Sequence, residues 1–391
     1  MCNISVILVN YNGKRYIDAL FESLCEIEHD NFEFEVVFVD NNSSDDSVEY
    51  LKNKNYPLNI KIVESKENLG FAGGNNLGVK NANGEYVVLL NNDTKVDKKW
   101  LSSLYEFMQK NKDVAMVNSK LLFFYDFLTV TFETRDKILL EKVIQINGVN
   151  YQIDNKFCKN LLYQENELVC FGHSEIAIPL LKGGIDYEIC FKSIKALEAD
   201  DKIKIDSNCG VGNADIKIVV SKEFVENNKY ALVQNAGSGV NETFDGYDIG
   251  FCQRDGEQFS NPYEINNGCG ASIMMRKSDF LSVKGFNEKF FMYYEDTDLS
   301  YRMKKKGKIM FCPDSVVRHI HTGSSTEWSP FFTYQVYRNK LLFVFYNISI
   351  KEFWKYYKIH KLQGETENNP YKIRGTKDAI KIIIGLKNIK F

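Results

Sequence analysis

The stretch "VVLLNNDTKVD", residues 87–97, runs a hydrophobic segment directly into polar residues. Its first four residues have the composition of a buried strand, and Asn91, Asn92 and Asp93 follow at once. Asn and Asp are common turn residues, so an ordinary turn at the end of a strand is one interpretation. The other interpretation is that the strand places Asp93 at the mouth of a site that holds a cation. The sequence on either side of this stretch distinguishes the two.

Four predicted strands alternate with helices over the first 118 residues. The strands are expected at 4–10, 34–40, 59–65 and 86–93, and a glycine-rich turn that leads into a short helix is expected at 68–82. Repeated strand–helix units predict an α/β fold, Rossmann-like, with a mostly parallel sheet that is covered on both faces. Ligands bind at the carboxyl ends of the strands in such sheets. Asn10, Asp40 and Asp93 all lie at such ends, which favours the cation-site interpretation.

A different pattern begins near residue 124. Apolar and polar residues alternate in "LTVTFET" (128–134), "KVIQING" (142–148), "KIKID" (202–206) and "ADIKIVVS" (214–221). This spacing predicts antiparallel strands, and residues 124–230 are long enough for a small sandwich-like module. We therefore expect the module to be inserted into an α/β domain formed by 1–123 and 231–345, with a basic, aromatic C-terminal tail at 346–391.

The overall composition is that of a globular chain. It has 391 residues, of which 44% are hydrophobic and 14% aromatic, and this excludes a disordered protein. The net charge of -3 gives no indication of nucleic-acid binding. The nine cysteines show no CxxC pair, and neither a signal peptide nor an 18-residue apolar segment is evident. We expect reduced thiols, a cytoplasmic protein and no membrane span.

Acidic residues follow aromatic ones in "GFNEKFFMYYEDTDLSYRMKKKG", residues 285–307. Asp296 and Asp298 are suitable partners for a helix N-terminus, which is one interpretation. A carboxylate beside an aromatic wall can also have a raised pKa and act as a base. Further on, "PDSVVRHIHTGSS" (313–325) places His319 and His321 two residues apart, so that both face one side of a strand. This pair alone does not establish a metal site.

Seven motifs occur in a familiar order, and together they resemble the family 2 glycosyltransferases. They are "VILVNYNG", "VVFVDNNSSDDS", "ENLGFAGGNNLG", "LLNNDT", "NGCGASIMMRKSDF", "GFNEKFFMYYEDTDLSYRMKKKG" and "PDSVVRHIHTGSS". The resemblance is to the rhamnosyltransferase-like branch, which builds bacterial surface polysaccharides, and it covers roughly 1–122 and 231–345. It implies a GT-A nucleotide-sugar-binding domain and inverting glycosyl transfer.

The resemblance also implies a role for particular residues. The donor-binding residues would be Asn10, Tyr11, Asp40, Asn68, Gly70, Asn91, Asn92 and Asp93. Asp93 resembles the last residue of the DxD motif, which binds Mg²⁺ or Mn²⁺ on the donor diphosphate, and His319 lies where such families often place a further ligand; His321 is an additional candidate.

On the acceptor side, Asp296 resembles the general base, and Glu295 is the alternative to it. Gly268, Gly270, Ala271 and Arg302 would lie beside the acceptor.

The partners implied by the resemblance are a dTDP- or UDP-sugar, with rhamnose the first choice, and a glycan or polyprenol-linked glycan acceptor. The tail either packs on the domain as a helix or makes shallow contact with the inner face of the plasma membrane. A homo-oligomer is also compatible with the sequence. Two interpretations of the module stay open: it influences acceptor choice or oligomer contact and takes no part in the chemistry, or it is a spacer with no such role.

Two other functions compete with glycosyl transfer. A sugar nucleotidyltransferase would need a glycine-rich, basic loop after the first strand, but "VNYNGKRY" contains one glycine. A non-catalytic glycan-binding protein would use the module as the binder and would have a decayed transferase site. The presence of Asp93, Asp296 and His319 argues against such decay.

Overall fold

The computed structural model describes residues 3–193, 202–205, 208–209, 215–320 and 329–385. The chain divides into two compact units. The α/β unit comprises the described parts of Met1–Phe124, Val233–Phe251 and Gly256–Phe391. The β unit comprises those of Tyr125–Leu232 and Cys252–Asp255.

The N-terminal part of the α/β unit alternates strands and helices. Its elements are β1 (Ile4–Asn10), α1 (Ile17–Cys25), β2 (Phe34–Asp40), α2 (Ser47–Lys52), β3 (Ile60–Glu64), α3 (Gly70–Asn81), β4 (Tyr86–Asn91), β5 (Thr94–Val96), α4 (Trp100–Lys110) and β6 (Val114–Phe123). Strand β1 pairs in parallel with β2 and β4, and β2 pairs in parallel with β3. The predicted α/β class is therefore confirmed.

The glycine-rich segment at 68–82 differs from its prediction. We expected a turn followed by a short helix, but helix α3 begins at Gly70 and runs for 12 residues. Its glycines allow the helix to pack closely on the sheet. A Cβ atom on Gly78 would lie 2.3 Å from Cγ2 of Ile7 in β1, closer than real atoms approach. Glycine is thus used here for close packing of a helix, which outweighs its poor helix propensity.

The β unit consists of antiparallel sheets, and this confirms the predicted antiparallel insertion. Its elements are β7 (Phe127–Glu141), β8 (Val143–Ile146), β9 (Val149–Gln152), β10 (Cys158–Tyr163), β11 (Glu167–Pro179), β12 (Tyr187–Lys192), β13 (Lys202–Ile205), β14 (Asn208–Cys209), β15 (Asp215–Val220) and α5 (Lys222–Asn228). One sheet has the order β10-β11-β7-β13-β14 and the other β15-β12-β8-β9. Side chains from both sheets, including Phe132 and Phe191, form one buried core.

The two ends of the β unit are joined by a short antiparallel bridge. The Phe127 N–H donates to the Tyr230 carbonyl at 2.8 Å, and the Tyr230 N–H donates back at 3.1 Å. The chain therefore enters and leaves this unit at neighbouring points.

The next part of the chain lies mostly in the α/β unit, and several of its strands join the sheet of that unit. The elements that follow are β16 (Leu232–Asn235), β17 (Ser238–Val240), β18 (Gly246–Asp248), β19 (Gln253–Arg254), β20 (Tyr263–Glu264), β21 (Ser272–Arg276), α6 (Lys277–Ser282), α7 (Glu295–Met303) and β22 (Lys308–His319). Strand β21 pairs with β4 and β6, both antiparallel. Strand β22 runs parallel to β6, and its C-terminal end is antiparallel to β5. The central sheet is therefore mixed, with its parallel strands on the N-terminal side.

Three helices complete the described chain: α8 (Pro330–Asn347), α9 (Ile350–Thr366) and α10 (Pro370–Ile383). They form a core with Phe290 and Tyr294, which lie just before α7. Within the described ranges, no helix combines the length and apolar character needed to cross a membrane. The cysteines in those ranges whose side chains are described are all free.

Candidate active site

Polar side chains at the carboxyl ends of β1, β2 and β4 meet at one edge of the sheet. Nδ2 of Asn10 donates to Oδ1 of Asp40 at 3.3 Å, and Oδ1 of Asn10 accepts from Nδ2 of Asn92 at 2.9 Å. Asn10 and Asp40 are buried. The parallel register places these strand ends side by side, as the topology requires. We call Asn10, Asp40 and 91–93 the strand-end edge.

Asn41 connects this edge to the start of α3. Its Nδ2 donates to Oδ1 of Asn68 and to the Gly70 carbonyl, both at 3.0 Å, and its Oδ1 accepts from the Leu69 N–H at 2.9 Å. The sequence analysis missed Asn41, although its place directly after the strand end could have indicated it. Tyr11 is half exposed at the same edge. These residues form a polar rim with one aromatic ring open to solvent.

Strand β22 brings His319 to Asp93. His319 pairs with Thr94 in the antiparallel contact with β5, and the Ile320 N–H donates to the Asp93 carbonyl at 3.0 Å. Nε2 of His319 lies 3.1 Å from Oδ1 of Asp93. That contact lacks hydrogen-bond geometry, because Oδ1 is buried without a hydrogen-bond partner. A buried carboxylate oxygen without a partner is costly, which makes this atom a candidate ligand.

Gln234, on β16, determines which nitrogen of His319 holds the proton. Nδ1 of His319 lies 2.6 Å from Oε1 of Gln234, and an amide oxygen can only accept. Nδ1 therefore donates to this oxygen. Nε2 faces Asp93 and lies 3.1 Å from Nδ2 of Asn91. Gln234 is buried, and no local motif distinguishes it in the sequence.

Asp93 and His319 fit a divalent cation. A carboxylate oxygen without a hydrogen-bond partner and an imidazole nitrogen face each other, and both are common ligands of Mn²⁺. Among the described residues, no group of three or more His, Cys, Asp or Glu side chains could hold a metal. A cation at this pair would therefore need further ligands from water or from a bound molecule. His321, the other predicted ligand, lies outside the described residues.

Two acidic residues begin helix α7. Oδ2 of Asp296 accepts from the Gly270 N–H at 3.1 Å, and Oδ1 accepts from the Thr297 N–H at 2.7 Å. Burial raises the pKa of Asp296, and these two N–H groups oppose the rise. Burial and the charge of Asp296 raise the pKa of Glu295 well above its usual range, and its Oε2 has no hydrogen-bond partner. Of the two, Asp296 has the side-chain contacts with N–H groups that favour its ionised form.

The segment 268–271 links the strand-end edge to Asp296. The Ala271 carbonyl accepts from the Asn91 N–H at 3.0 Å, and Gly270 contacts Asp296 as described above. A Cβ on Gly270 would lie 2.9 Å from Cζ of Phe71, so only glycine allows this approach. The Gly268 N–H donates to Oγ of Ser300 on α7 at 3.1 Å.

Arg302 is engaged within the α/β unit. Its Nε and Nη2 donate to Oδ2 of Asp298 at 2.9 and 2.5 Å. Its Nη1 donates to the carbonyls of Val283 and Gly285, both at 2.6 Å. These contacts join α7 to the loop that follows α6. The acceptor-side role of Arg302 stays a prediction.

Loop 290–294, which leads into α7, contains left-handed residues with full side chains. The φ angles of Phe291, Tyr293 and Tyr294 are 64°, 70° and 67°. Such values are uncommon for residues other than glycine. The loop touches the start of α3, because the Phe291 carbonyl accepts from the Ala72 N–H at 3.1 Å. Gly70, with a φ of 70°, leaves room for that carbonyl.

Comparisons with known protein families match both halves of this site. Residues 5–162 match the model of glycosyl transferase family 2. Residues 252–323 match the model described as the N-terminal domain of galactosyltransferase. The first match contains the strand-end edge, and the second contains Gly270, Asp296 and His319.

Two curated relatives cover parts of the chain. TarS of Staphylococcus aureus, a poly(ribitol-phosphate) β-N-acetylglucosaminyltransferase, is 32% identical over 122 residues, which are 31% of this chain and 21% of TarS. The low-salt glycan biosynthesis hexosyltransferase Agl10 of Haloferax volcanii is 27% identical over 124 residues, which are 31% of this chain and 37% of Agl10. The chain therefore matches well under two thirds of the length of either protein.

The fold matches a solved structure over almost its whole length. GalNAc-T7, crystallised with UDP, GalNAc and Mn²⁺, aligns with a TM-score of 0.52 at 14% identity, covering 97% of this chain and 55% of that one. This likeness concerns the fold alone, and it confirms the predicted GT-A class.

Proposed function

We propose that the chain, whose residues 5–162 match the model of glycosyl transferase family 2, transfers a sugar from a nucleotide-sugar donor to a glycan acceptor with inversion at the sugar. The observation that supports this most is the continuous series of contacts along one edge. Asn92 touches Asn10, Asp93 faces His319, and Gly270 touches Asp296. The candidate cation site and the candidate base are thus connected through Asn91 and the segment 268–271.

The nucleotide is proposed to bind at the strand-end edge. The Asp40 carboxylate and the Asn10 amide suit hydrogen bonding to a nucleobase or ribose, and the exposed ring of Tyr11 suits stacking. Asn68 and Gly70, which Asn41 holds in place, would line the same pocket. The donor is a dTDP- or UDP-sugar. Rhamnose is the first candidate for the sugar, on the resemblance of the motifs, and N-acetylhexosamines and other hexoses are tested beside it.

Asp93 and His319 are proposed to hold Mg²⁺ or Mn²⁺ at the donor diphosphate. A bound cation would offset the charge that develops on the leaving diphosphate. Mn²⁺ suits the pair better than Mg²⁺, because imidazole nitrogen is a poorer ligand for Mg²⁺. Asn91 and Asn92 lie beside the pair and would contact the donor through their amides.

Asp296 is proposed as the general base. Its two N–H contacts fix the carboxylate in place, and its raised pKa increases its basicity. It would take the proton of an acceptor hydroxyl as that oxygen attacks the sugar carbon. The single displacement needs no nucleophile from the enzyme.

A lipid-linked acceptor would require the protein to approach a membrane surface. Helix α9 exposes Ile350, Trp354 and Leu362 beside Lys355 and Lys358. Apolar and basic side chains on one exposed helix face suit peripheral binding to anionic lipid. Sedimentation with phosphatidylglycerol vesicles, compared with phosphatidylcholine vesicles, tests this location. Recovery of equal amounts of protein with the two kinds of vesicle would contradict binding to anionic lipid.

A thermal-shift screen against dTDP- and UDP-sugars, with and without Mn²⁺, tests the function. A bound donor adds stability to the folded state, so the correct nucleotide raises the melting temperature. We expect the rise to depend on Mn²⁺ and slow donor hydrolysis to accompany it. Release of diphosphate with formation of a nucleotide-sugar would instead indicate a nucleotidyltransferase. Glycan binding without donor binding would indicate a non-catalytic binder.

A further inference from the structure

Helix α8 holds the carbonyl groups of loop 290–294. Nδ2 of Asn339 lies 2.9, 2.7 and 2.7 Å from the carbonyl oxygens of Phe290, Met292 and Tyr293. Nη2 of Arg338 donates to the Phe290 carbonyl at 2.6 Å. Both side chains are fully buried. One amide and one guanidinium therefore contact three of the five carbonyls of this loop.

Arg338 also fixes the direction of the Asn339 amide. Its Nε donates to Oδ1 of Asn339 at 2.8 Å, so the NH₂ group of that amide must face the loop. The guanidinium lies 5.3 Å from the ring centre of Tyr334. The Tyr334 hydroxyl donates to Oδ2 of Asp378 on α10 at 3.0 Å. Arg338 and Asn339 are thus oriented by α8 and α10, which contain none of the proposed donor-binding or catalytic residues.

The start of α7 depends on this loop. Tyr294 is the N-cap residue of α7, it is left-handed, and its side chain makes no capping hydrogen bond. Asp296 is the second residue of the helix, so the loop conformation sets its position. Left-handed residues with side chains persist only where the surroundings impose them. The contacts from α8 are the kind of constraint that such a loop requires.

We propose that Asn339 and Arg338 are positioning residues, which direct Asp296 toward Gly270 by holding the carbonyls of loop 290–294. This rests on the proposed function, in which Asp296 is the base. Without these contacts the loop relaxes toward right-handed conformations, and the first turn of α7 shifts. The donor site has its own contacts at the strand-end edge, so it stays intact.

The variant Asn339→Ala removes the amide and leaves the loop sequence unchanged. We expect kcat for transfer to fall by roughly 10- to 100-fold, the range for a base displaced by a fraction of an ångström to 1 Å. Donor affinity, measured by calorimetry, stays the same. Hydrogen exchange speeds up in peptides covering 290–298 and nowhere else. Asn81→Ala is the matched control, since Nδ2 of Asn81 also donates to a carbonyl, that of Leu77 at 2.9 Å. It leaves all three measurements unchanged.

Arg338→Lys is the second variant, and it keeps the positive charge. Lysine cannot contact Oδ1 of Asn339 and the Phe290 carbonyl in the same planar geometry. We expect a smaller loss of kcat in the same direction, again with unchanged donor affinity.

Three results would overturn the proposal. The first is faster exchange in 290–298 with unchanged kcat, because the contacts would then serve stability alone. The second is an equal loss of donor affinity and kcat in a folded variant. The third is that neither variant folds, which would make the pair a folding requirement. If the wild-type protein transfers no sugar, the proposed function is contradicted instead. Hydrogen exchange in the variants would still show whether Asn339 and Arg338 hold loop 290–294.

Discussion

The strand-end edge and loop 290–294 place functional groups in different ways. At the edge, Asn10 is the last residue of β1 and Asp93 lies two residues after β4, and ordinary pairing of these two strands brings them together. At the loop, left-handed residues precede Asp296, and side chains of a distant helix hold them. The first arrangement follows from local sequence, whereas the second needs residues more than 40 positions away. Donor binding and base placement should therefore fail separately when either region is changed.

The largest effect is expected at the strand-end edge. Asp93→Ala should remove metal-dependent donor binding and reduce transfer by roughly 10³-fold or more, because a bound cation contributes several kcal/mol at a developing charge. Calorimetry with donor and Mn²⁺ measures the binding. Asp97→Ala is the control, since Asp97 is exposed four residues further on. Normal affinity and turnover in Asp93→Ala would remove Asp93 from the metal site.

The next largest effect is expected after loop 290–294. Asp296→Asn should leave donor affinity unchanged and reduce transfer by roughly 10²-fold or more, the range for a general base. Glu295→Gln is the informative partner variant. Burial raises the pKa of Glu295, and its Oε2 has no hydrogen-bond partner, so an uncharged glutamine should be tolerated there and transfer should change little. Steady-state kinetics on both variants check this. If Glu295→Gln is the inactive one, the two roles are reversed.

The pH profile of kcat sharpens the same assignment. A base must be ionised, so transfer should fall as the pH drops through the raised pKa of Asp296, above the usual value of about 3.9 for aspartate. The charge of Asp248 contributes to the rise. Asp248→Asn should therefore move the acid limb to lower pH. If kcat of the wild-type protein instead falls at the ordinary pKa of aspartate, the base is not a buried carboxylate.

A smaller effect is expected from Gln234→Leu. Without the Gln234 oxygen that accepts from Nδ1, His319 can also adopt the tautomer with the proton on Nε2. Removing a hydrogen-bond partner of a metal-binding histidine weakens metal affinity by roughly 10- to 100-fold. Mn²⁺ titration measures the affinity, and the imidazole ¹⁵N shifts report the tautomer directly. Gln109→Leu is the control, because Gln109 contacts Tyr86 at the opposite end of β4. An unchanged tautomer in Gln234→Leu would show that Gln234 does not orient the ring.

The smallest effect on donor chemistry is expected from the β unit. Replacing residues 125–231 with a Gly/Ser linker should leave donor hydrolysis unchanged, since every proposed donor-binding residue lies in the α/β unit. Transfer to the natural acceptor is measured separately. Lost hydrolysis in a folded deletion protein would mean that this unit supports the donor site.

The sequence predicts the strand-end edge better than the residues that orient the site. The bounds of β1 and β2 agree with their predictions, because buried parallel strands read as short apolar runs. Gln234 and Asn339 were not found, since their roles depend on partners far away in sequence. For 68–82 the sequence predicts a glycine-rich turn leading into a short helix, and helix α3 is longer than expected, because glycine is more often a turn residue than a close-packing one. The assigned roles of Asp93, Asp296 and His319 stay predictions until the variants are measured.

The bridge between Phe127 and Tyr230 has a consequence for the order of folding. Strand β6 must pair with β16 across an intervening segment on the order of 100 residues, and closing so long a loop is entropically unfavourable. If the β unit folds first, the bridge holds the two ends together and the effective loop is only a few residues long. The saving is about 3 kcal/mol in closure entropy. We therefore expect the β unit to fold first and to bring the two chain ends together during refolding. A variant that slows the folding of the β unit should also delay hydrogen-exchange protection of β16. The contact between Gln234 and His319 should then form later as well.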